Sequence, residues 1–469
     1  RGTTENDDIY FQNTESRNVN YEKMPDVVND YMQKINKITG KNYKPFNYYG
    51  DKYATKVIVA MGSVCDTVRE VVQNEEGLGL LEVHLYRPFS KKYFFDVMPK
   101  TVKKIAVLDR TKEPGSSGEP LYLDVCAMYQ DKDIKPKIYG GRYGLSSKNT
   151  DEASIKAVFD FLDNNPFHDF TVGIKDDLTN KSIPILPYKI KHKGQREILV
   201  YGYGSDGMVT ASKDIITILG NYTDAFVQGY FQYDSKKSGG VTKSHLRVSK
   251  DDIKSPYYVN KANVVVCTKD SYLLKYDIVD NIKKGGTFIL VSNLKGDQLL
   301  NFIPNKVKKF IIDNEIKFYV IDAFKIASDN NIPNKISAIM ETAIFKVANL
   351  VKFEPIINKI KDQVRKKFSK KGEDVVNSNL KAIDDAIDAL CEVEVNITSL
   401  NSKEKEQVNL IDDKILNYAS RLKGDCLTVK DFIKHKDGSF MPGTSKYEKR
   451  NIASLLPCWN KENCIECNM

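Results

Sequence analysis

Residues 202–213 read GYGSDGMVTASK, which places Gly202, Gly204 and Gly207 in a G-x-G-x-x-G spacing. Glycines in that spacing, between an apolar run and a helical one, let backbone N–H groups approach a pyrophosphate at a helix N-terminus. A tight strand-to-helix turn needs the same glycines without any ligand, so the spacing alone leaves both readings open.

The stretch YDSKKSGGVTKSHLR follows at 233–247 and carries Lys236 and Lys237 beside a Gly-Gly pair. Two ammonium groups on a loop suit a phosphate-rich ligand, coenzyme A or NADP rather than NAD. A solvated lysine loop is the plain alternative. His245, on the strand after it, reads as a satisfied structural histidine. Asp109, Arg110, Lys112 and Glu113 form a charged loop after another strand, where open α/β sheets place function. A loop salt-bridge network is the preferred reading there. No Ser-His-Asp set, Cys-His set or pair of carboxylates for acid–base work stands out. Near the C-terminal end, NCIECNM sets Cys464 and Cys467 in a C-x-x-C spacing. That spacing matches the start of a four-iron ferredoxin run, and equally a zinc half-site or a redox pair. Two thiolates cannot complete a cluster, and further ligands would fall beyond Met469.

The elements that must position these residues alternate. KVIVAM, LGLLEVHLY, KKIAVLD and KPKIYGGRYG read as strands. Between and after them SVCDTVREVVQNE, KKYFFDVMP, PLYLDVCAMYQ and TDEASIKAVFDFLD read as helices, the first capped by Ser63. A short helix around VVNDYMQKINKITG precedes them. A linker with Pro184 and Pro187 leads to a second alternation, in which EILVYG, AFVQGYFQY, VTKSHLRVS, ANVVVCTK, GGTFILVSN and KFYVIDA are strands. MVTASKDIITILGNYT and PNKISAIMETAIFKVANLV are helices, residues 356–395 are amphipathic helix, and 400–445 form a polar strap. The pattern predicts an α/β protein of two doubly wound, Rossmann-like open-sheet domains with a helical segment and a C-terminal linker.

Composition narrows the class. Among 469 residues, 41% are hydrophobic and 28% charged, as in a soluble globular protein. No apolar run approaches the ~20 residues that span a bilayer, so no membrane is expected. A net charge of +9, from 71 basic and 62 acidic residues, permits an anionic ligand. Nucleic acid is not expected, since no binding motif is present and the basic residues are mixed with acidic ones. Eight cysteines without a secreted framework favour a reducing compartment. Arg1 and Gly2 open a polar stretch, and both ends read as internal to a longer chain.

Several motifs in register resemble pyruvate:ferredoxin (flavodoxin) oxidoreductases, the thiamine-diphosphate enzymes of anaerobic metabolism. RGTTENDDIYFQ resembles the end of their first thiamine-binding domain. VIVAMGSVCDT, LYRPF, VLDRTKEPG and GGRYGLSSK resemble the second domain, and YGYGSDGMVTASK, QGYFQYDSKKSGGVTKSHLR and GGTFILVSN the third. KYEKRNIASLLPCWNKENCIECNM resembles the entry to the ferredoxin-like domain. The resemblance implies a tail and linker over 1–35, a transketolase C-terminal-like domain over 36–190 and a coenzyme A-binding domain over 191–400. A linker over 401–445 and the start of a 4Fe-4S domain over 446–469 complete the division.

It implies oxidative decarboxylation of pyruvate with coenzyme A to acetyl-coenzyme A and carbon dioxide, with ferredoxin or flavodoxin as electron partner. The matching coenzyme A ligands are Gly204, Ser205, Asp206, Gly207, Met208, Lys236, Ser337 and Asn379. Met208 stands where Thr is common and Ser337 where Asn is common. Cys464 and Cys467 would ligate a 4Fe-4S cluster only in the full-length protein. Thiamine diphosphate, Mg2+ and the clusters belong to that full-length enzyme, a homodimer in the cytoplasm or an anaerobic mitochondrion-related organelle. The segment alone is expected to carry no catalytic residue and no activity. An NADP-linked member of the family, and a stand-alone NADP-binding oxidoreductase, are the alternatives.

Overall fold

The computed structural model describes residues 5–234, 240–400, 411, 413–447, 457–465 and 467. The chain divides into two compact units, one of 1–192 with 254–258 and 427–433, the other of 193–253, 259–426 and 434–469.

The first unit opens with α1 (Tyr10–Glu15) and α2 (Asn18–Thr39). α2 begins well before the short helix expected around 27–40, and Gly40 ends it in the left-handed conformation at φ 68°. A sheet follows, interleaved with helices: β1 (Phe46–Gly50), β2 (Lys56–Ala60), α3 (Val64–Asn74), β3 (Leu78–Val83), α4 (Lys91–Val97), β4 (Lys104–Asp109), α5 (Pro120–Met128), β5 (Lys137–Arg142), α6 (Glu152–Asp163) and β6 (Phe170–Thr171). Strand order is β1-β3-β2-β4-β5-β6. β2 to β6 pair in parallel, while β1, absent from the sequence expectation, runs antiparallel along β3. Ile58 and Ala60 of β2 pack with α3 and α6, and Val57 and Val59 pack with α4 and α5 on the other face. Burial on both faces makes the central strands continuous apolar runs, and each fully buried Val, Ile, Leu or Phe stabilises by roughly 1.5–3 kcal/mol.

Two local expectations resolve here. Ser63 occupies the N-cap of α3 but makes no side-chain cap bond. Its own backbone is already helical (φ −61°, ψ −24°), which departs from the extended cap geometry that aims a hydroxyl at the next amides. The charged loop is held by hydrogen bonds rather than by the expected salt bridges: among the described residues Asp109, Arg110, Lys112 and Glu113 make no ion pair. The buried Asp109 carboxylate accepts from the Leu121 and Tyr122 amides at 3.0 and 3.1 Å, and burial lifts it to about 6. Arg110 donates to the Gly144 carbonyl and the Ser147 hydroxyl.

The second unit contains β7 (Arg196–Tyr203), α7 (Met208–Tyr222), β8 (Phe226–Gln232), β9 (Val241–Ser249), β10 (Ala262–Cys267), β11 (Ile282–Val291), α8 (Gly296–Phe302), α9 (Asn305–Asp313), β12 (Lys317–Ile321), α10 (Ala323–Asp329), α11 (Ser337–Val347), α12 (Phe353–Phe368), α13 (Glu373–Ala389), β13 (Cys391–Glu392) and α14 (Lys414–Ser420). Strand order is β13-β12-β11-β10-β7-β9-β8. β12, β11, β10 and β7 form the parallel core. β9 runs antiparallel between β7 and β8, so the sheet is mixed. α7, α10, α11, α12 and α13 cover one face, and α8 and α9 with the short helical turns after β10 cover the other. Lys308 of α9 is fully buried, and its ammonium donates to the Leu300 and Ser399 carbonyls at 2.9 and 2.7 Å. That bond anchors the start of the polar strap.

Candidate functional site

The glycine motif lies at the carboxyl end of β7. Ile198 and Val200 face α7, Leu199 and Tyr201 face the opposite core, and the strand leaves the sheet at Tyr203. The chain then turns through Ser205 at φ 79° and Gly207 at φ 88° before α7 begins at Met208. The three glycines have different jobs. A Cβ on Gly202 would meet the Thr242 hydroxyl oxygen at 2.6 Å, so its place is to let β9 lie close. Gly207 supplies a left-handed backbone, and a Cβ there would sit 3.4 Å from Cβ of Ser337. The Gly204 amide donates to the Gly240 carbonyl at 2.9 Å.

Asp206 shapes the turn from inside. It is buried, and its carboxylate accepts from the Tyr203 amide at 2.7 Å and the Met208 amide at 2.8 Å. Thr268, just past β10, donates its hydroxyl to the same carboxylate at 2.7 Å, and its amide donates to the Tyr201 carbonyl at 3.0 Å. Burial raises the Asp206 pKa, opposed by these donors. The exits of two neighbouring parallel strands are thus clipped together, where open α/β sheets bind ligands. The amides of Ser205, Gly207, Val209 and Thr210 meet no acceptor among the described residues. They form a donor set at the positive end of a 15-residue helix, suited to phosphate oxygens.

Two lysines flank this turn. Lys243 pairs across the ladder with Tyr201, and its Nζ lies 5.2 Å from that ring's centroid. Lys269 follows Thr268, with Nζ 4.4 Å from the Tyr203 ring centroid. Burial lowers the pKa of both.

Of the residues expected from sequence, 204–208 form the turn, and Ser337, first residue of α11, stands against Gly207. Asp206 spends its carboxylate on the fold. Asn379 is buried on α13, which packs on α11, and its amide donates to the Val375 carbonyl at 2.7 Å. Lys236 and Lys237 lie outside the described residues. His245 is neutral and structural: its Nδ1 accepts from the Val259 amide and its Nε2 faces Gln232 at 2.7 Å. Burial, with Lys243 and Arg247 nearby, lowers it to about 3. Cys464 and Cys467 are exposed, and no group of three or more metal-ligating side chains occurs among the described residues. Sequence reading missed Thr268, Lys243 and Lys269. The signal available for Lys243 was its place on a strand starting one residue after the Gly-Gly pair.

β9 matters for the choice of ligand. A dinucleotide unit puts the strand after its first helix in parallel beside the first strand. Here β8 is separated from β7 by the antiparallel β9, so Asp234 does not occupy the ribose-reading place.

Residues 197–389 match the family described as pyruvate ferredoxin/flavodoxin oxidoreductase, and residues 54–150 match pyruvate:ferredoxin oxidoreductase core domain II. Residues 402–453 match a domain of unknown function. The pyruvate:ferredoxin oxidoreductase of Moorella thermoacetica is 43% identical over 479 residues, covering 100% of this chain and 41% of the relative. A pyruvate-flavodoxin oxidoreductase of Enterobacter agglomerans is 41% identical with the same coverage. A pyruvate dehydrogenase [NADP(+)] of Cryptosporidium parvum is 37% identical over 511 residues, covering 100% of this chain and 26% of its own. The chain spans about two fifths of the length of the first two relatives.

Proposed function

Because the chain belongs to the pyruvate ferredoxin/flavodoxin oxidoreductase family, we propose that it supplies coenzyme A binding to an enzyme that oxidatively decarboxylates pyruvate. In that reaction pyruvate and coenzyme A become acetyl-coenzyme A and carbon dioxide, and two electrons pass to ferredoxin or flavodoxin. The observation that carries the reading is the set of four donor amides at the start of α7, closed on one side by Ser337. Phosphate oxygens of the coenzyme accept from Ser205, Gly207, Val209 and Thr210, and Lys236 adds a charge-assisted bond. Ser337 and Asn379 complete the contact set matched from the family. The first unit acts by packing, as a transketolase C-terminal-like domain, and carries no catalytic residue.

Thiamine diphosphate, Mg2+ and 4Fe-4S clusters are parts of the whole enzyme, a homodimer in the cytoplasm or an anaerobic organelle. Cys464 and Cys467 serve as two cluster ligands there, since a 4Fe-4S cluster takes four thiolates. No helix among the described residues is long and apolar enough to cross a membrane. The Cryptosporidium relative supports a second reading for the electron acceptor alone, in which a fused reductase passes electrons to NADP.

Calorimetric titration of the 469-residue chain tests the proposal. Coenzyme A binds and NADP does not. Gly207→Val, which forces a branched side chain onto a φ of 88° beside Ser337, abolishes binding while the fold remains. Lys236→Ala weakens binding about tenfold or more, the loss of one charge-assisted bond. Absence of coenzyme A binding, or equal binding of NADP, would sink the reading.

A further inference from the structure

The two lysines beside the turn carry an inference that rests on the coenzyme A reading and deepens it. Tyr201 and Tyr203 are two residues apart on β7, so their rings share one face of the sheet. That is the face opposite α7. Lys243 and Lys269 lie over these rings at 5.2 and 4.4 Å, which sets two ammonium groups along a tyrosine floor at the strand ends. Lys243 makes no ion pair with a carboxylate among the described residues. Asp425 acts on it electrostatically, without a contact. Both side chains are half-buried, and Asp270 acts electrostatically on Lys269 as Asp425 does on Lys243, without cancelling the effect of burial on either. A partly desolvated ammonium costs free energy that an arriving anion offsets.

Tyr272, whose ring belongs to the same core, has a buried hydroxyl without a partner, as does Tyr203. Tyr272 is 7% exposed. This end of the sheet therefore holds cation charge, one half-buried aromatic ring and unspent hydroxyl donors together. The donor amides of the turn lie on the α7 side of the same strand end, and they suit the pyrophosphate. Coenzyme A carries one more phosphate, on the 3′ position of its ribose.

We propose that Lys243 and Lys269 form a second anion subsite, across the strand ends from the α7 amides, that takes the ribose 3′-phosphate of coenzyme A. The half-buried Tyr203 ring supports the nucleoside, while the buried Tyr201 ring holds Lys243 in place. Neither lysine takes part in chemistry; the pair sets specificity for the phosphorylated nucleotide.

The test is calorimetric titration of the 469-residue chain with coenzyme A and with dephospho-coenzyme A, which lacks only that phosphate. Wild type prefers coenzyme A by about tenfold or more, the worth of one charge-assisted contact. Lys243→Met and Lys269→Gln each erode that preference, and the double variant binds both ligands alike. Binding of dephospho-coenzyme A changes less than threefold, a readout that a merely structural role would not spare. Lys269→Gln keeps a polar side chain and stands in if Lys243→Met fails to fold. Retention of the full preference in the double variant overturns the subsite. Equal losses for the two ligands overturn it too, by assigning the lysines to the pyrophosphate. If Gly207→Val abolishes binding while the lysine variants keep the preference, the coenzyme A reading stands and the subsite falls. If wild type binds neither ligand, both fall.

Discussion

Removing the Asp206 carboxylate should open the turn, and the cost can be worked from its three bonds. Asp206→Ala leaves the Tyr203 and Met208 amides without their acceptor in a buried place, and leaves the Thr268 hydroxyl only its longer contact to the Tyr201 carbonyl at 3.4 Å. An unpaired buried donor costs about 1–3 kcal/mol, so the two amides would cost about 2–6 kcal/mol if neither found water, and the weakened Thr268 bond adds to that. Two terms reduce this. The carboxylate itself is disfavoured by burial, as its raised pKa records, and the Met208 amide begins a helix whose other first-turn amides already lack acceptors. A net loss of about 2–5 kcal/mol in the second unit is expected, large against a typical ~5–15 kcal/mol of stability. Thr268→Val should cost about 1–2 kcal/mol alone and less once Asp206 is gone, because its hydroxyl then keeps only the longer contact to the Tyr201 carbonyl. The assay is urea denaturation of wild type, both single variants and the double variant. A coupling energy of about 1–2 kcal/mol is expected. Additivity within about 0.5 kcal/mol would refute the clip, whatever the single losses.

Two further outcomes concern stability. Glu152, buried at the start of α6, has a carboxyl raised to about 7 by burial, with Asp151 and Glu70 adding and Lys189 opposing. The folded state then holds a proton that the unfolded chain releases near 4.5, so stability falls as pH rises from about 4.5 to about 7. Relative to Glu152→Gln, wild type should lose about 3 kcal/mol across that window, read by denaturant melts at each pH; parallel curves would count against it. Lys308→Met replaces the buried ammonium by an apolar chain of similar length and leaves the Leu300 and Ser399 carbonyls unpaired. A loss of about 2–4 kcal/mol and faster proteolysis near residue 399 are expected, checked by limited digestion with mass spectrometry.

Much of this architecture is legible in the residues. Runs such as KVIVAM and EILVYG announce buried strands because sheets covered on both faces need no alternation. The direction of β9 was legible in principle. Gln232 and Val241 are separated by too few residues for a parallel crossover, which takes a dozen or more, so β8 and β9 had to form a hairpin. β1 was missed because FNYYG is short and partly exposed, with little apolar signature. At the site, the glycine spacing gave the turn, and the resemblance to the family pointed to Ser337, which lies against it across a large stretch of sequence. The inward turn of Asp206 could not be read, since an acid beside a glycine loop looks the same whether it faces solvent or the fold. Thr268 was invisible for a related reason: its partner is 62 residues away, and only the strand order brings them together.

That separation bears on when the turn acquires its shape. All the glycines are present once residue 207 has been made, yet the carboxylate that organises them waits for a hydroxyl at the far end of β10. Between the two lie α7 and the β8–β9 hairpin. Local contacts can form α7 and the hairpin early, whereas the β7–β10 pairing closes a long loop and comes at a higher entropic cost. By this reasoning the turn should be assembled late in folding, after the hairpin has settled on one side of β7 and β10 on the other. A nascent chain emerging up to residue 250 would display the whole motif without its final geometry, so the proposed coenzyme binding would wait for completion of the sheet.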